Sequence, residues 1–166
     1  MLATRSLPNT VLARPGDLPA ERLRSLGFRE HPFLASADPR FLYLSGQHLS
    51  VVDRLQDLIV NREGFGVVEG PLGTGKTSVA RRLLDIFGSV PGFRVVYIHT
   101  AEYKTALVAL QDIARHFDIA RRRAHIDQLR TLEKGLVDIR VEGAEPVVII
   151  DDAQRMAIAS LDALHA

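Results

Sequence analysis

Cysteine and tryptophan are both missing from the 166 residues of this chain. Without cysteine there can be no disulfide and no thiolate metal centre, which fits a reducing compartment. Aromatic residues amount to only 6%, so the core has to be built mainly from Val, Leu, Ile and Ala. Long apolar runs are missing too. The purest, Val147-Val148-Ile149-Ile150, has four residues, against the roughly 20 that a helical membrane span needs. The first nine residues include Arg5 and Pro8 and lack the apolar stretch of a secretory signal. The expectation is a soluble cytoplasmic protein with no membrane contact. An excess of one charge is also lacking: the formal net charge is +1, which neither demands nor excludes nucleic acid.

What is present has the balance of a globular chain, 46% apolar and 25% charged, and the length of one α/β domain. Residues 1–27 read as an arm broken by Pro8, Pro15, Gly16 and Pro19, with a helical turn or two over 20–26. A loop-like stretch over 28–46 is rich in aromatics (Phe28, Phe33, Phe41, Tyr43). The spacing of Val51, Val52, Leu55, Leu58 and Ile59 predicts a helix over 47–62. Strands are expected at 65–69, 93–98 and 147–150, the last fully buried. Helices are expected over 78–87, 103–117, 124–141 and from Asp152 to the end. Strands alternating with helices imply a parallel sheet covered on both faces, a three-layer α/β fold.

Between the first expected strand and the helix after it lies Gly70-Pro71-Leu72-Gly73-Thr74-Gly75-Lys76-Thr77, a full G-x-x-x-x-G-K-[ST] pattern. Gly70, Gly73 and Gly75 permit positive φ, so that backbone N–H groups turn inward as a nest for phosphate oxygens. The helix that the loop opens presents unpaired N–H groups and its positive dipole end to the same anion, with Ser78 in its first turn. Lys76 supplies a mobile positive charge for the β- and γ-phosphates, and the Thr77 hydroxyl is a hard oxygen donor for Mg²⁺. The reading is ATP with Mg²⁺. The alternative is a glycine-rich turn with an incidental lysine.

Downstream, Val147-Val148-Ile149-Ile150 runs into Asp151-Asp152. A buried parallel strand delivers residues at its C-terminal end to the ligand crevice. Asp151 is therefore assigned to Mg²⁺, through water, and Asp152 to activation of the attacking water. The plainer alternative is that either aspartate caps the following helix.

These residues together resemble P-loop ATPases of the AAA+ type, in particular the general secretion pathway protein A group and the related ATPases that regulate DNA transposition. The resemblance spans residues 28 to about 156. Beyond the phosphate loop it rests on Glu30-His31-Pro32-Phe33, on Asp38-Pro39-Arg40-Phe41-Leu42-Tyr43-Leu44-Ser45 with Gln47-His48, and on Asp151-Asp152-Ala153-Gln154. It implies an oligomer-forming ATPase whose entry segment closes over the adenine, giving Phe33 and Tyr43 a role in nucleotide binding or in anchoring the arm. It also places a polar residue, Thr100 with His99 beside it, near the metal-binding acid.

Two departures from the resemblance stand out. Asp152 stands where the group has glutamate, one methylene longer, and this implies slow hydrolysis. The family's sensor strand, arginine finger and lid would follow residue 166, so residues 28–166 read as the N-terminal part of a nucleotide-binding domain; otherwise the first and third strands pair directly. For partners, the resemblance offers DNA transposition, for which Arg121-Arg122-Arg123 with Arg115 and His125 is the one basic cluster, or secretion and pilus assembly. A non-hydrolysing nucleotide switch is the third reading.

Overall fold

The computed structural model describes residues 20–29, 43 and 45–165, which belong to two compact units, Met1–Tyr43 and Leu44–Ala166. The described part of the first unit is a short helix, α1 (Ala20–Ser25), with Glu21 in its first turn and Arg22 and Arg24 in its last, as the helix dipole favours. It ends at Gly27, whose φ of 81° lets the Phe28 N–H bond back to the Leu23 carbonyl at 2.9 Å. Phe28 and Tyr43 have exposed side chains. The role expected for Phe33 lies outside the described residues.

The second unit opens with α2 (Gly46–Asn61). Ser45 caps its start by accepting the His48 N–H, and Arg62, in the left-handed region at φ 58°, ends it. Next come α3 (Lys76–Phe87), β1 (Phe93–Ile98), α4 (Ala106–His116), α5 (His125–Val141), β2 (Glu145–Ile150), a 3₁₀ turn (Ala153–Arg155) and α6 (Ile158–His165). The strands pair in parallel, from Phe93 opposite Glu145 to Ile98 opposite Ile150. Because side chains alternate along a strand, this register sorts them cleanly. Val96, Ile98, Val148 and Ile150 face a core made with α4, α5 and α6 around Leu110, Ile113, Phe117 and Leu132. Phe93, Val95 and Ile149 face the other way, onto Val79, Leu83 and Phe87 of α3 and Val52 of α2. The result is the expected three layers around a parallel sheet. Burying a side chain such as Leu110 or Phe117 contributes about 1.5–3 kcal/mol each.

The strand expected at 65–69 does not form: among the described residues the sheet consists of β1 and β2. Apolar content marks a segment for burial, but a strand also needs a hydrogen-bonded neighbour. Among the described residues, 65–69 have none, and all five are exposed. Gly66 lies against α2, where an added Cβ would be 2.9 Å from Leu58 Cδ1. Direct pairing of the first and third strands is likewise not seen. Nor is β2 fully buried. Only Glu145 is, and Val147 to Ile150 are half-buried, because one edge of the strand meets β1 and the other a cleft. Buried Glu145 joins the start of β2 to the ends of α2 and α5: Oε1 accepts a hydrogen bond from Arg140, and Oε2 forms an ion pair with Arg62 Nε at 3.0 Å.

A second polar tie holds α4 to the loop after β1. The Tyr103 hydroxyl donates to Asp112 Oδ2 at 2.5 Å, and Arg115 donates to Oδ1. Burial alone would raise the Asp112 pKa. The hydrogen bonds from Tyr103 and Arg115, with the charges of Arg115 and His116, outweigh it and hold the carboxyl below its usual range. Burial and the Asp112 bond push the Tyr103 phenol up. A depressed carboxyl contributes stability above its unfolded pKa, about 3.9, and that contribution is lost as pH falls through the lower folded value. Tyr103→Phe should therefore flatten the acid limb of stability against pH, by about 1 kcal/mol. Urea denaturation of parent and variant at a series of pH values below about 6 checks this; parallel acid limbs would contradict it.

Candidate functional site

The loop over residues 70–77 ends where α3 begins. Gly75 is the N-cap, at φ 84°, and it has no side chain with which to cap the helix. The first backbone N–H groups of α3, including those of Thr77 and Ser78, therefore lack the side-chain acceptor that such positions ordinarily have. An uncapped helix start of this kind suits an anion. Gly73 also has positive φ, at 82°. Gly70 does not, contrary to expectation. What it requires is closeness: a Cβ there would sit 3.0 Å from Thr74 Oγ1, and that hydroxyl donates to the Pro71 carbonyl at 2.9 Å. Lys76 Nζ donates to the carbonyls of Gly70 and Pro71, both at 2.8 Å, so the ammonium is folded back across its own loop. Leu72, at the tip, is fully exposed.

At the end of β2, the Asp151 N–H continues the ladder by bonding to Ile98 O at 2.9 Å. Its carboxylate is only 7% exposed. Oδ1 accepts the Asp152 backbone N–H at 3.0 Å, and Oδ2 accepts the Tyr97 hydroxyl at 3.0 Å. Asp152 is in the left-handed region, at φ 52°, and makes no side-chain cap to the 3₁₀ turn that follows. Gln154 Nε2 donates to its Oδ1 at 2.9 Å instead. The two aspartates thus have different environments, one buried and bonded on both oxygens, the other half-buried and steadied by an amide.

Tyr97 is not among the residues expected beside Asp151. The polar residues that the resemblance implies there are Thr100 and His99; Thr100 is exposed, and His99 Nδ1 stands 3.7 Å from Oδ2 with its ring stacked on Tyr97. Parity along the strands could have found the tyrosine. Residues 93, 95 and 97 share the face of 149 and 151, so Tyr97 has to lie beside Asp151. Burial chiefly, and then the bond to Asp151, raise the Tyr97 pKa, while the Arg81 guanidinium beside it pulls the other way.

A cleft of about 1050 Å³ brings these pieces together, with Gly70, Leu72 and Lys76 on one side and Asp151 and Asp152 on another. Residues 64–69 and the open edge of β2 continue its walls, and α6 adds Leu161 and Leu164. Gly73, Gly75, Thr77 and Ser78 are not among its lining residues. The basic cluster lies elsewhere, between α4 and α5. Arg121, Arg122 and Arg123 are exposed. Arg122 is tethered by its N–H to Gln128 Oε1 at 2.6 Å and by its carbonyl to Gln111 Nε2 at 2.6 Å, and Arg115 is bound to Asp112. Among the described residues no helix is long and apolar enough to cross a membrane.

Comparison with known proteins follows the same lines. A family model described as AAA domain matches residues 59–166. The chain is also similar to general secretion pathway protein A of Aeromonas hydrophila, 39% identical over 59 residues. That match covers 36% of this chain and 11% of the relative, so the chain spans only a small part of that protein's length. No solved structure matches.

The Tyr97 hydroxyl is a direct hydrogen bond to a buried carboxylate, so Tyr97→Phe should destabilise the fold by about 1–3 kcal/mol. Chemical denaturation near neutral pH measures it, and an unchanged midpoint would mean that the bond contributes nothing.

Proposed function

We propose, since this chain belongs to the AAA domain family, that it binds ATP with Mg²⁺ in the cleft between the 70–77 loop and the end of β2, and hydrolyses it slowly. The observation that carries this reading is the uncapped, glycine-led start of α3, with Lys76 sharing one cleft with Asp151 and Asp152. Backbone N–H groups at residues 73–78 would hold the phosphates. Lys76 would exchange its two carbonyl partners for phosphate oxygens, a trade of neutral acceptors for charged ones that favours the ligand.

The donor set fits Mg²⁺, which takes oxygen ligands and keeps several waters. Thr77 Oγ1 would bind it directly and Asp151 through water. Tyr97 and the Asp152 N–H fix the Asp151 carboxylate, and each oxygen accepts one bond with lone-pair capacity left for such water. When bound, Mg²⁺ neutralises charge on the β- and γ-phosphates. Asp152 orients the attacking water and accepts its proton. Its carboxylate is one methylene shorter than a glutamate, and misplacement of about 1 Å can cost on the order of 100-fold in rate.

The edge of β2 away from β1, which lines the cleft, fits a further strand of the AAA sheet. We read the whole as a nucleotide-dependent regulator that self-associates and acts on a macromolecular process. Two readings of that process remain. DNA transposition rests on the exposed Arg121–Arg123 run, whereas a role in secretion is favoured by the similarity to general secretion pathway protein A. DNA-stimulated ATP turnover would select the first.

Lys76→Ala should abolish ATP binding; labelled ATP retained by the variant as well as by the parent would remove the central assignment. Asp152→Glu should raise turnover, on the order of 10- to 100-fold, in a steady-state phosphate-release assay. A variant no faster than the parent would show that carboxylate reach does not set the rate.

A further inference from the structure

The seam by which α2 packs on α3 runs through Val52, Leu55 and Ile59. One turn earlier the same helical face carries His48, at i−4 from Val52. A histidine sits at this end of the seam because the neighbour there is the backbone of the 70–77 loop and no longer the apolar face of α3. His48 Nε2 lies 2.9 Å from the Thr74 carbonyl oxygen, and its Nδ1 lies 2.7 Å from Ser45 Oγ.

The partners fix the tautomer. A carbonyl only accepts, so Nε2 carries the hydrogen and donates to Thr74 O. In the neutral ring Nδ1 then accepts from the Ser45 hydroxyl, whose oxygen in turn accepts the His48 backbone N–H at 3.4 Å. Ser45 thus caps α2 and sets the angle of the imidazole at once. The ring also packs against the glycine next in line: a Cβ on Gly75 would be 3.0 Å from Nε2. With its φ of 84°, this gives Gly75 two separate reasons to be glycine.

We propose that His48 is a positioning residue for the phosphate loop. The Thr74 carbonyl and the Gly75 N–H belong to one trans peptide plane and point in opposite directions. A hydrogen bond that draws the carbonyl toward α2 therefore turns the Gly75 N–H away from α2, and it fixes the Thr74–Gly75 peptide, which the glycine on its C-terminal side would otherwise leave free to flip. His48 contributes to binding by setting this orientation before the nucleotide arrives, so that less ordering is left to be done on binding. The inference rests on the phosphate-site reading above.

The test is nucleotide affinity of the full chain with Mg²⁺ and a fluorescent ATP analogue, together with the melting temperature of each nucleotide-free variant. His48→Ala should bind about tenfold more weakly, the loss of one hydrogen bond's worth of preorganisation. His48→Gln places an amide N–H at nearly the reach of Nε2 and should restore affinity to within about threefold of the parent. His48→Asn, one bond shorter, should stay as weak as the alanine variant. Ser45→Ala leaves the Thr74 bond in place but frees the ring, and should fall between the two. Binding by His48→Ala at parental affinity would overturn the proposal. So would a glutamine variant as weak as asparagine with an intact melting transition, because the bond to Thr74 would then not be what matters. If instead the parent itself fails to bind while folded, the phosphate-site reading is what falls.

Discussion

The parallel register of β1 on β2 is the constraint on which the rest of this structure depends. Six residue pairs, from Phe93–Glu145 to Ile98–Ile150, decide which side chains meet α2 and α3 and which meet α4, α5 and α6. A shift of one residue would exchange the two sets. It would carry Ile149 off the α3 face and Val148 onto it, and would separate Tyr97 from Asp151. The buried carboxylate is tolerable where it is because the register supplies its donors: Tyr97 from the neighbouring strand, and the Asp152 N–H from the turn that begins once the ladder ends at Ile98 O. At the opposite end of the same strands, Glu145 meets Arg62 and Arg140. The sheet is thus bounded by a buried carboxylate at each end of β2: Asp151 accepts a hydrogen bond on each oxygen, and Glu145 is held by two arginines, with a hydrogen bond on Oε1 alone.

Much of this was legible in the residues, for reasons that differ between elements. The bounds of β1 were readable because Gly92 and the polar His99-Thr100 bracket an apolar run. The long helices were readable because their apolar positions repeat at helical spacing. The 70–77 loop announced itself through a pattern in which most positions have a backbone or charge requirement. The segment at 65–69 was misread because apolarity says only that it seeks burial. Whether it becomes a strand depends on a neighbour that no local pattern encodes.

The candidate site divides along the same line. Lys76, Asp151 and Asp152 were found from their positions next to an apolar run or a glycine loop, and they do share a cleft. Tyr97 and His48 were not assigned roles there, because each acts across the fold. Tyr97 needs the strand register to be known, and His48 needs the packing of α2 on α3. Gly70 was selected for the wrong physical reason: its φ is ordinary, and what it accommodates is the Thr74 hydroxyl.

The two sides of the cleft are prepared to different degrees. On the β2 side, Asp151 is held on both oxygens and Asp152 by Gln154, each from within the fold. On the loop side, Lys76 spends its charge on two carbonyls of its own loop. Such bonds are weaker than bonds to an ionised acceptor, and they hold the loop closed on itself without committing the ammonium. An arriving phosphate would compete with Gly70 O and Pro71 O for Lys76 while leaving Thr74 O, which α2 holds through His48, undisturbed. On the proposed reading the loop thus combines one anchored peptide with one exchangeable cation. That division allows a glycine-rich segment to keep its shape and still offer its charge.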